Sequence, residues 1–256
     1  MRHLITLSLV LCRAACGFFG EKEEETVSWD ADRLYAEARE ALDSGYYSDA
    51  VDLYQNLEAR YPFGKYAQQA LLDLAYAYYK DDEPEAAIAA CDRFIKLYPQ
   101  NAHVDYAYYL KGLTNFNRGK GLTQRFVPTD EAQRDPGAAY QAFQDFLELA
   151  KRYPESEYIE DAEQRMIYLR NNLAKNEVYV ASYYMRRGAF VAAANRARYV
   201  IENYPRTASV PDALVIMAKA YKVLEMEDLS ADALRVLELN YPNHPGIYEV
   251  KSIDVK

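Results

Sequence analysis

Residues 87–99, AIAACDRFIKLYP, contain the pattern that decides the fold. A small residue, Ala87, is followed at spacings of four and three by Cys91 and Phe94, and Tyr98-Pro99 closes the stretch. These spacings place the three side chains on one face of an α-helix. A proline ends such a helix, because it lacks an N–H and restricts the residue before it. The stretch therefore predicts an amphipathic helix that stops at Tyr98.

The same pattern occurs five times along the chain. The Tyr-Pro dipeptides are Tyr61-Pro62, Tyr98-Pro99, Tyr153-Pro154, Tyr204-Pro205 and Tyr241-Pro242. Twelve residues before each proline lies a small residue: Ala50, Ala87, Ala142, Ala193 and Ser230. Seventeen residues before lie turn or terminus residues in most copies: Gly45, Asp82, Gly137, Gly188 and Glu225. Twenty-four residues before four of the prolines lies another small residue: Ala38, Ala75, Ala181 and Ala218.

A helix pair with a small residue in each helix and a proline after the second is typical of a tetratricopeptide repeat of about 34 residues. The sequence therefore predicts an all-α fold, a right-handed superhelix of five tetratricopeptide-like helix pairs. Each first helix is expected to line a concave surface.

Two irregular intervals predict departures from the regular array. Successive prolines are 37, 55, 51 and 37 residues apart. The 55-residue interval predicts a loop insertion of 18 residues in repeat three, between Phe116 and Pro136. The 51-residue interval has 14 extra residues, but residues 156–187 contain neither Gly nor Pro. Since 14 residues make about four helical turns, one long helix is predicted to join repeats three and four.

The N-terminus is predicted to be a signal followed by a lipid anchor. A basic start precedes the apolar run Leu4–Cys12, which has the length of a signal-peptide core and is too short to cross a bilayer. Ala14-Ala15-Cys16-Gly17 resembles a bacterial lipobox. We therefore expect residues 1–15 to be a signal peptide and Cys16 to carry an N-acyl group and an S-diacylglycerol lipid.

Residues 16–28 then form the lipidated cysteine and a flexible tether. Arg13 departs from the apolar residue usual at its position in a lipobox. The alternative is an ordinary secretory signal that is cleaved nearby.

Composition and motifs argue against several function classes. The 256 residues are 50% hydrophobic and 27% charged, which is typical of a folded globular protein. A net charge of −9 argues against nucleic-acid binding, which requires a basic surface. Three widely separated histidines make a histidine-based metal site improbable, and Asp81-Asp82-Glu83 is better explained as helix capping. Without a nucleophile, phosphate-binding or zinc motif, the prediction is a protein that is not an enzyme and has no metal or cofactor beyond the lipid.

The 25 tyrosines favour a binding surface for peptides. Several lie off the packing stripe of the first helices: Tyr76, Tyr79, Tyr106, Tyr109 and Tyr183. Tyrosine supplies a large contact area at low entropic cost, so the set predicts a peptide-binding groove. The alternative for each tyrosine is a filler whose hydroxyl reaches water at the edge of a thin core. Residues 60–66, RYPFGKY, are the densest candidate.

Six longer strings resemble the BamD (ComL) family of bacterial lipoproteins. They are RYPFGKYAQQ (60–69), LDLAYAYYK (72–80), DRFIKLYP (92–99), DYAYYLKGLTNF (105–116), RDP (134–136) and LAKNEVYVASYYMRRGAFVAAANR (173–196). The resemblance extends over nearly all of the chain after the signal, including the insertion and the long helix, and becomes weak from about Pro242.

The resemblance implies a lipid-anchored scaffold of the complex that assembles β-barrel proteins in the outer membrane. Its location would be the periplasmic face of that membrane. Its partners would be the barrel-shaped central subunit BamA, held through a POTRA domain, accessory lipoproteins and unfolded outer-membrane proteins. Repeats one and two, residues 29–103, would recognise the targeting signals of these substrates, and repeats three to five, residues 104–256, would dock the central subunit.

The resemblance also suggests individual residues. Tyr61 and Phe63 match residues near a proposed signal pocket, to which the aromatic pattern adds Tyr66, Tyr76 and Tyr79. Arg196 matches an arginine that pairs with an acidic residue of BamA, and Tyr183 and Asn195 are expected beside it.

Two other functions stay open at this point. One is a generic periplasmic tetratricopeptide-repeat lipoprotein that organises envelope or peptidoglycan enzymes. The other is a hydrolase or chaperone that uses the acidic surface.

Overall fold

The computed structural model describes residues 26, 28–118, 132 and 135–253. Within these residues every regular element is a helix, which confirms the all-α prediction. The helices are α1 (Ala31–Asp43), α2 (Tyr47–Arg60), α3 (Ala67–Lys80), α4 (Pro84–Leu97), α5 (Val104–Asn117), α6 (Gly137–Arg152), α7 (Ile159–Arg186), α8 (Phe190–Asn203), α9 (Val210–Val223), α10 (Glu227–Asn240) and α11 (Gly246–Lys251). The first ten form the five predicted pairs, and α11 follows the last pair. The right-handed superhelical arrangement of the pairs stays a prediction.

The chain divides into two compact units, residues 1–110 and 111–256, and the division falls within α5. In the N-terminal unit α1 packs on α2, α2 on α3 and α3 on α4. In the C-terminal unit α6 packs on α7, α7 on α8, α8 on α9 and α9 on α10, and α11 packs on α9 and α10. The assignment of signal recognition to one part and docking to the other stays a prediction.

Each second helix ends at the tyrosine of its Tyr-Pro dipeptide, as the proline predicts. The five C-cap tyrosines have φ between −123° and −136° and ψ between 47° and 62°, outside the helical region. In four copies the tyrosine carbonyl then accepts a hydrogen bond of 3.0 Å from the N–H three residues later. In the fourth copy the hydroxyl of Thr207 donates to the carbonyl of Tyr204 at 2.9 Å. This shared turn starts the next first helix.

The small residues of the repeat are its contact points, as predicted. The second-helix positions Ala50, Ala87, Ala142 and Ala193 are fully buried, and Ser230 is 4% exposed. The first-helix alanines are also fully buried: Ala38, Ala75, Ala181 and Ala218. Cys91 is a buried cysteine in α4. Small side chains let the paired helices approach closely, and the larger residues three to eight positions away fill the remaining space.

The turn between the two helices of a pair requires a left-handed residue. Gly45 and Gly188 have φ of 82° and 75°, and Asp82 and Glu225 adopt the same conformation with φ of 61° and 58°. Glycine has no Cβ to clash in this region, whereas Asp and Glu are strained there. Of the four such turns among the described residues, two therefore contain a residue that their geometry does not favour.

The predicted long helix is confirmed. Helix α7 runs without a break for 28 residues, and its buried residues include Ala162, Leu169, Leu173 and Ala181. The predicted loop insertion lies mostly outside the described residues, which leave out 119–131, 133 and 134.

The third pair uses a glycine where the other pairs have alanine. Gly112 in α5 lies against the ring of Phe146 in α6, and a Cβ at Gly112 would come within 2.6 Å of that ring. The repeat pattern identified no small residue in the first helix of this pair, because the insertion places Gly112 farther from Pro154 than the usual 24 residues.

Candidate partner-binding surfaces

The turn between α2 and α3 is fixed at its base. The hydroxyl of Tyr61 donates to the carbonyl of Trp29 at 3.3 Å, and its ring packs against the buried core of the N-terminal unit. The neighbouring Arg60 donates to the carbonyls of Thr26 and Trp29 at 2.6 and 2.5 Å. Tyr61 therefore holds the turn in place, and only part of its ring can meet a partner.

The far side of the same turn presents an apolar side chain to solvent. Phe63 is 98% exposed, although aromatic side chains are usually buried at least in part. Tyr66 limits movement of the turn, because its ring stacks on Tyr35 at 4.3 Å and its hydroxyl donates to Asp32 at 2.7 Å. The ammonium of Lys65 lies 2.5 Å from the same carboxylate. The hydrogen bonds from Lys65 and Tyr66 lower the pKa of Asp32.

A pocket of about 320 Å³ lies beside this turn, where α3 begins. It is lined by Lys65, Gln68, Gln69, Leu72, Phe94 and Asn101. Leu72 and Phe94 are almost completely buried and supply apolar contact area, while the amides and the ammonium supply polar groups. The amide of Asn101 donates to Gln68 at 2.6 Å and links the turn after α4 to α3. Amide groups around an apolar floor are suited to an extended peptide, whose backbone offers both donors and acceptors.

The other two predicted tyrosines of this surface lie farther along α3. Tyr76 and Tyr79 are partly buried, with ring centroids 6.2 Å apart, and Tyr76 packs against the same core as Tyr61 and Tyr66. The structure thus packs Tyr61, Tyr66 and Tyr76 against one buried core, whereas Phe63 is exposed to solvent.

Sequence reasoning missed a buried carboxylate beneath this surface. Asp73 is 7% exposed and accepts hydrogen bonds from Tyr35 at 3.2 Å, Tyr54 at 3.3 Å and Gln69 at 2.8 Å. Arg39 lies 3.5 Å from it. Burial, together with the negative charge of Asp73, raises the pKa of Tyr35 to about 12 and also raises that of Tyr54. An aspartate at an apolar helix position is the signal that could have indicated this network.

In the C-terminal unit, Arg196 lies on α8 and forms an ion pair with Glu177 of α7. Nη1 of Arg196 is 3.1 Å from one carboxylate oxygen and 3.4 Å from the other. The side chain of Arg196 is 48% exposed and that of Glu177 is 17% exposed. Sequence reasoning selected the arginine and missed its internal partner, because the two are 19 residues apart on different helices.

Two further predicted residues of this surface are also exposed. Asn195 is exposed on α8, and Tyr183 is 50% exposed on α7. The ring centroids of Tyr183 and Tyr184 are 5.9 Å apart. The guanidinium of Arg187 lies 5.8 Å from the ring of Tyr183.

Two aromatic residues that were not predicted also belong to this region of α8. Tyr199 is 40% exposed one helical turn after Arg196, and its ring meets that of Tyr204 edge to face at 5.9 Å. Burial raises the pKa of Tyr204 to about 12, and Tyr199 and the negative charge of Glu177 act in the same direction. Arginine beside tyrosine is typical of protein–protein contact sites.

Two kinds of feature are absent from the described part of the chain. No helix there is both long enough and apolar enough to cross a membrane. No group of three or more His, Cys, Asp or Glu side chains there could hold a metal ion. Cys16, the predicted lipidation site, lies outside the described residues.

Comparison with known proteins identifies the family. The model of the YfiO family, described as "Outer membrane lipoprotein", matches residues 28–237. The outer membrane protein assembly factor BamD of Neisseria meningitidis serogroup B is 46% identical over 245 residues, covering 94% of this chain and 92% of the relative. The proteins of the same name from Xylella fastidiosa strain 9a5c and Vibrio cholerae are 37% and 38% identical, covering 96% and 81% of this chain and 84% and 86% of the relatives. Since these matches span most of each chain, this protein belongs to the YfiO family of outer membrane lipoproteins and to the same family as the BamD assembly factors.

Proposed function

We propose that this protein is a non-enzymatic, lipid-anchored scaffold of the outer-membrane β-barrel assembly complex, located on the periplasmic face. Its N-terminal unit binds targeting signals of unfolded barrel proteins, and its C-terminal unit docks the central subunit BamA through a POTRA domain. Accessory lipoproteins of the complex are further partners. Family membership supports a role in outer-membrane protein assembly, because the relatives are named as outer membrane protein assembly factors.

One observation carries the substrate-binding part of the proposal. Phe63 is 98% exposed on a turn that Tyr61 and Tyr66 hold rigidly, beside the pocket at the start of α3. An apolar side chain in this setting does little for the stability of the folded chain. It is well placed to contact an apolar residue of a peptide whose backbone meets Gln68, Gln69 and Asn101. A rigid site also binds with a smaller entropic cost than a mobile one.

The lipid anchor would hold this scaffold at the membrane. Acylation of Cys16 by more than one chain is needed for stable attachment, because a single chain binds a bilayer only reversibly. The tether in residues 16–28 would separate the lipid from the first helix, α1.

A crosslinking experiment tests signal recognition. A photoreactive amino acid at position 63 should crosslink to a peptide from the C-terminal strand of an outer-membrane barrel protein. The same amino acid at position 248 serves as the control, because Tyr248 is 81% exposed but lies on α11 in the other unit. Crosslinks at position 248 that equal those at 63 would show non-specific contact and contradict the proposal.

A binding experiment complements the crosslinks. Phe63→Ala should weaken binding of the same peptide about tenfold or more, as expected for an anchoring aromatic side chain. Its thermal unfolding should not change, because the side chain packs against little of the protein. Unchanged peptide affinity would remove Phe63 from the site.

Co-purification tests the scaffold role. The full-length protein, extracted in mild detergent, should recover a barrel-containing partner. Recovery of peptidoglycan enzymes without a barrel protein would instead support the generic periplasmic lipoprotein.

A further inference from the structure

The ion pair between Glu177 and Arg196 stands at two positions that are interior in the other helix pairs. Aligned on their small residues, the pairs have Leu34, Leu71, Tyr108 and Leu214 at the position of Glu177. They have Leu53, Ala90, Asp145 and Ala233 at the position of Arg196. All of these are 8% exposed or less, apart from Leu53, which is partly buried against the core. Three of the other four pairs therefore have apolar residues at both positions where the fourth pair has two charges.

Stability does not explain this exchange. An ion pair as exposed as this one contributes little to stability, because water screens the charges and the side chains lose freedom. Replacing a more buried pair by apolar residues is often neutral or stabilising. The charges of Glu177 and Arg196 therefore call for an explanation outside the packing of the pair.

The geometry of the pair leaves half of the guanidinium available. Both carboxylate oxygens of Glu177 contact the same nitrogen, Nη1 of Arg196, at 3.1 and 3.4 Å. Within the residues that the structure describes, Nε and Nη2 of Arg196 make no hydrogen bond. These two nitrogens form the side-on fork that can bind a carboxylate through two parallel hydrogen bonds.

We propose that Glu177 is the positioning residue of the docking surface: it holds Nη1 of Arg196 and presents the Nε–Nη2 fork to a carboxylate of the partner. The inference rests on the docking of BamA proposed above for the C-terminal unit, and on the sequence-based expectation that Arg196 pairs there with an acidic residue of that subunit. The partner surface would carry an acidic side chain beside an apolar patch that covers the exposed ring of Tyr199. Covering the ring removes water from the pair and strengthens its hydrogen bonds.

Glu177 could instead compete with the partner's carboxylate for Arg196, and the two roles predict opposite results for the removal of Glu177. A competing carboxylate would have to leave before docking, so its removal would tighten docking. A positioning carboxylate stays, and its removal frees a long side chain that must be ordered again on docking. Ordering such a side chain again costs binding free energy, so Glu177→Ala should weaken docking about three- to tenfold, which corresponds to about 0.6–1.4 kcal/mol.

The experiment measures docking of the full-length protein to the central barrel subunit in detergent, together with thermal unfolding of each variant. Arg196→Ala and Arg196→Lys should both lose docking by tenfold or more, because lysine keeps the charge but not the fork. Glu177→Ala should lose three- to tenfold, and the double alanine variant should be no weaker than Arg196→Ala alone. Glu177→Gln, which keeps an acceptor for Nη1, should lie between the wild type and Glu177→Ala.

Two controls separate docking from folding and from net charge. Glu177→Leu with Arg196→Ala copies the residues of the second and fifth pairs, so it should unfold at the wild-type temperature while docking is lost. Glu148→Ala removes the same charge from another ion pair of this unit, that with Arg152 at 2.9 Å, and should dock normally.

Each remaining outcome has one interpretation. Docking by Glu177→Ala at or above the wild-type level, with Arg196→Ala defective, would overturn the positioning role and leave the docking role intact. Docking by Arg196→Ala at the wild-type level would overturn the docking role itself and the inference with it.

Discussion

Replacing Gly112 by alanine tests how the third helix pair is packed. The corresponding residue is a fully buried alanine in the other four pairs, so the sequence pattern alone predicts that alanine fits. The structure predicts the opposite. A Cβ at Gly112 would lie 2.6, 2.7 and 3.0 Å from Cε1, Cδ1 and Cζ of Phe146. Carbon atoms in good contact are about 3.5–4.0 Å apart, so the ring would have to move by roughly 1 Å.

The size of the effect follows from two opposing contributions. The ring of Phe146 is fully buried and lies edge to face with that of Phe116 at 6.5 Å, which leaves it little room to move. Overpacking of a core costs about 1–3 kcal/mol, and the enclosed ring puts this site toward the upper part of that range. Alanine gains about 1 kcal/mol over glycine within a helix. Gly112→Ala should therefore lower the free energy of unfolding by about 1–2 kcal/mol.

Urea denaturation followed by far-UV circular dichroism measures this difference. Phe146→Leu is the matched variant, because it shortens the side chain that the new methyl group would meet. In the double variant the methyl group occupies space that the ring has left. The loss of unfolding free energy in the double variant should therefore be smaller than the sum of the losses in the two single variants. A Gly112→Ala protein that is more stable than the wild type would refute the packing described for this pair.

Three further predictions concern the turns, the tyrosine network and the anchor. Glu225→Gly and Asp82→Gly should each raise the free energy of unfolding by about 0.5–1 kcal/mol in urea denaturation, since glycine relieves the strain of a positive φ; lower stability would contradict the assigned conformation. The free energy of unfolding should fall between pH 10 and about 12, because the folded state keeps Tyr35 protonated up to its raised pKa of about 12 whereas the unfolded chain ionises near pH 10. This contribution is complete below pH 10, and Tyr35→Phe should flatten the loss; equal slopes in denaturation series at several pH values would contradict it. Cys16→Ala should abolish labelling by radioactive palmitate and release the protein from the membrane fraction, and a labelled variant would place the lipid elsewhere.

The periodic part of the fold could be predicted from the sequence because its causes are local. Proline ends each second helix whatever surrounds it, and small residues at fixed spacings mark the faces of close contact. The length of α7 was equally accessible, since no residue between 156 and 187 breaks a helix. The sequence pattern did not identify Gly112 as the small residue of the third pair, because the insertion changes its distance from Pro154. A glycine within a helix also usually indicates a less stable helix rather than a close helix contact.

The candidate surfaces were predicted less completely than the fold. The sequence selected the turn of residues 60–66, but Tyr61 and Phe63 look alike as aromatic neighbours of a proline. The structure separates them, because Tyr61 packs and bonds to Trp29 while Phe63 has no buried position to occupy. Arg196 was selected by resemblance, and Glu177 by neither resemblance nor pattern.

The sequence by itself determined the helices, their pairing and the turns that join them, because these depend on spacings within about 37 residues of chain. Only the tertiary structure decided which tyrosines are buried, which glycine packs against a phenylalanine ring, and which carboxylate forms an ion pair with each arginine. Those outcomes depend on side chains that different helices bring together, and a contact across helices leaves no fixed spacing in the sequence.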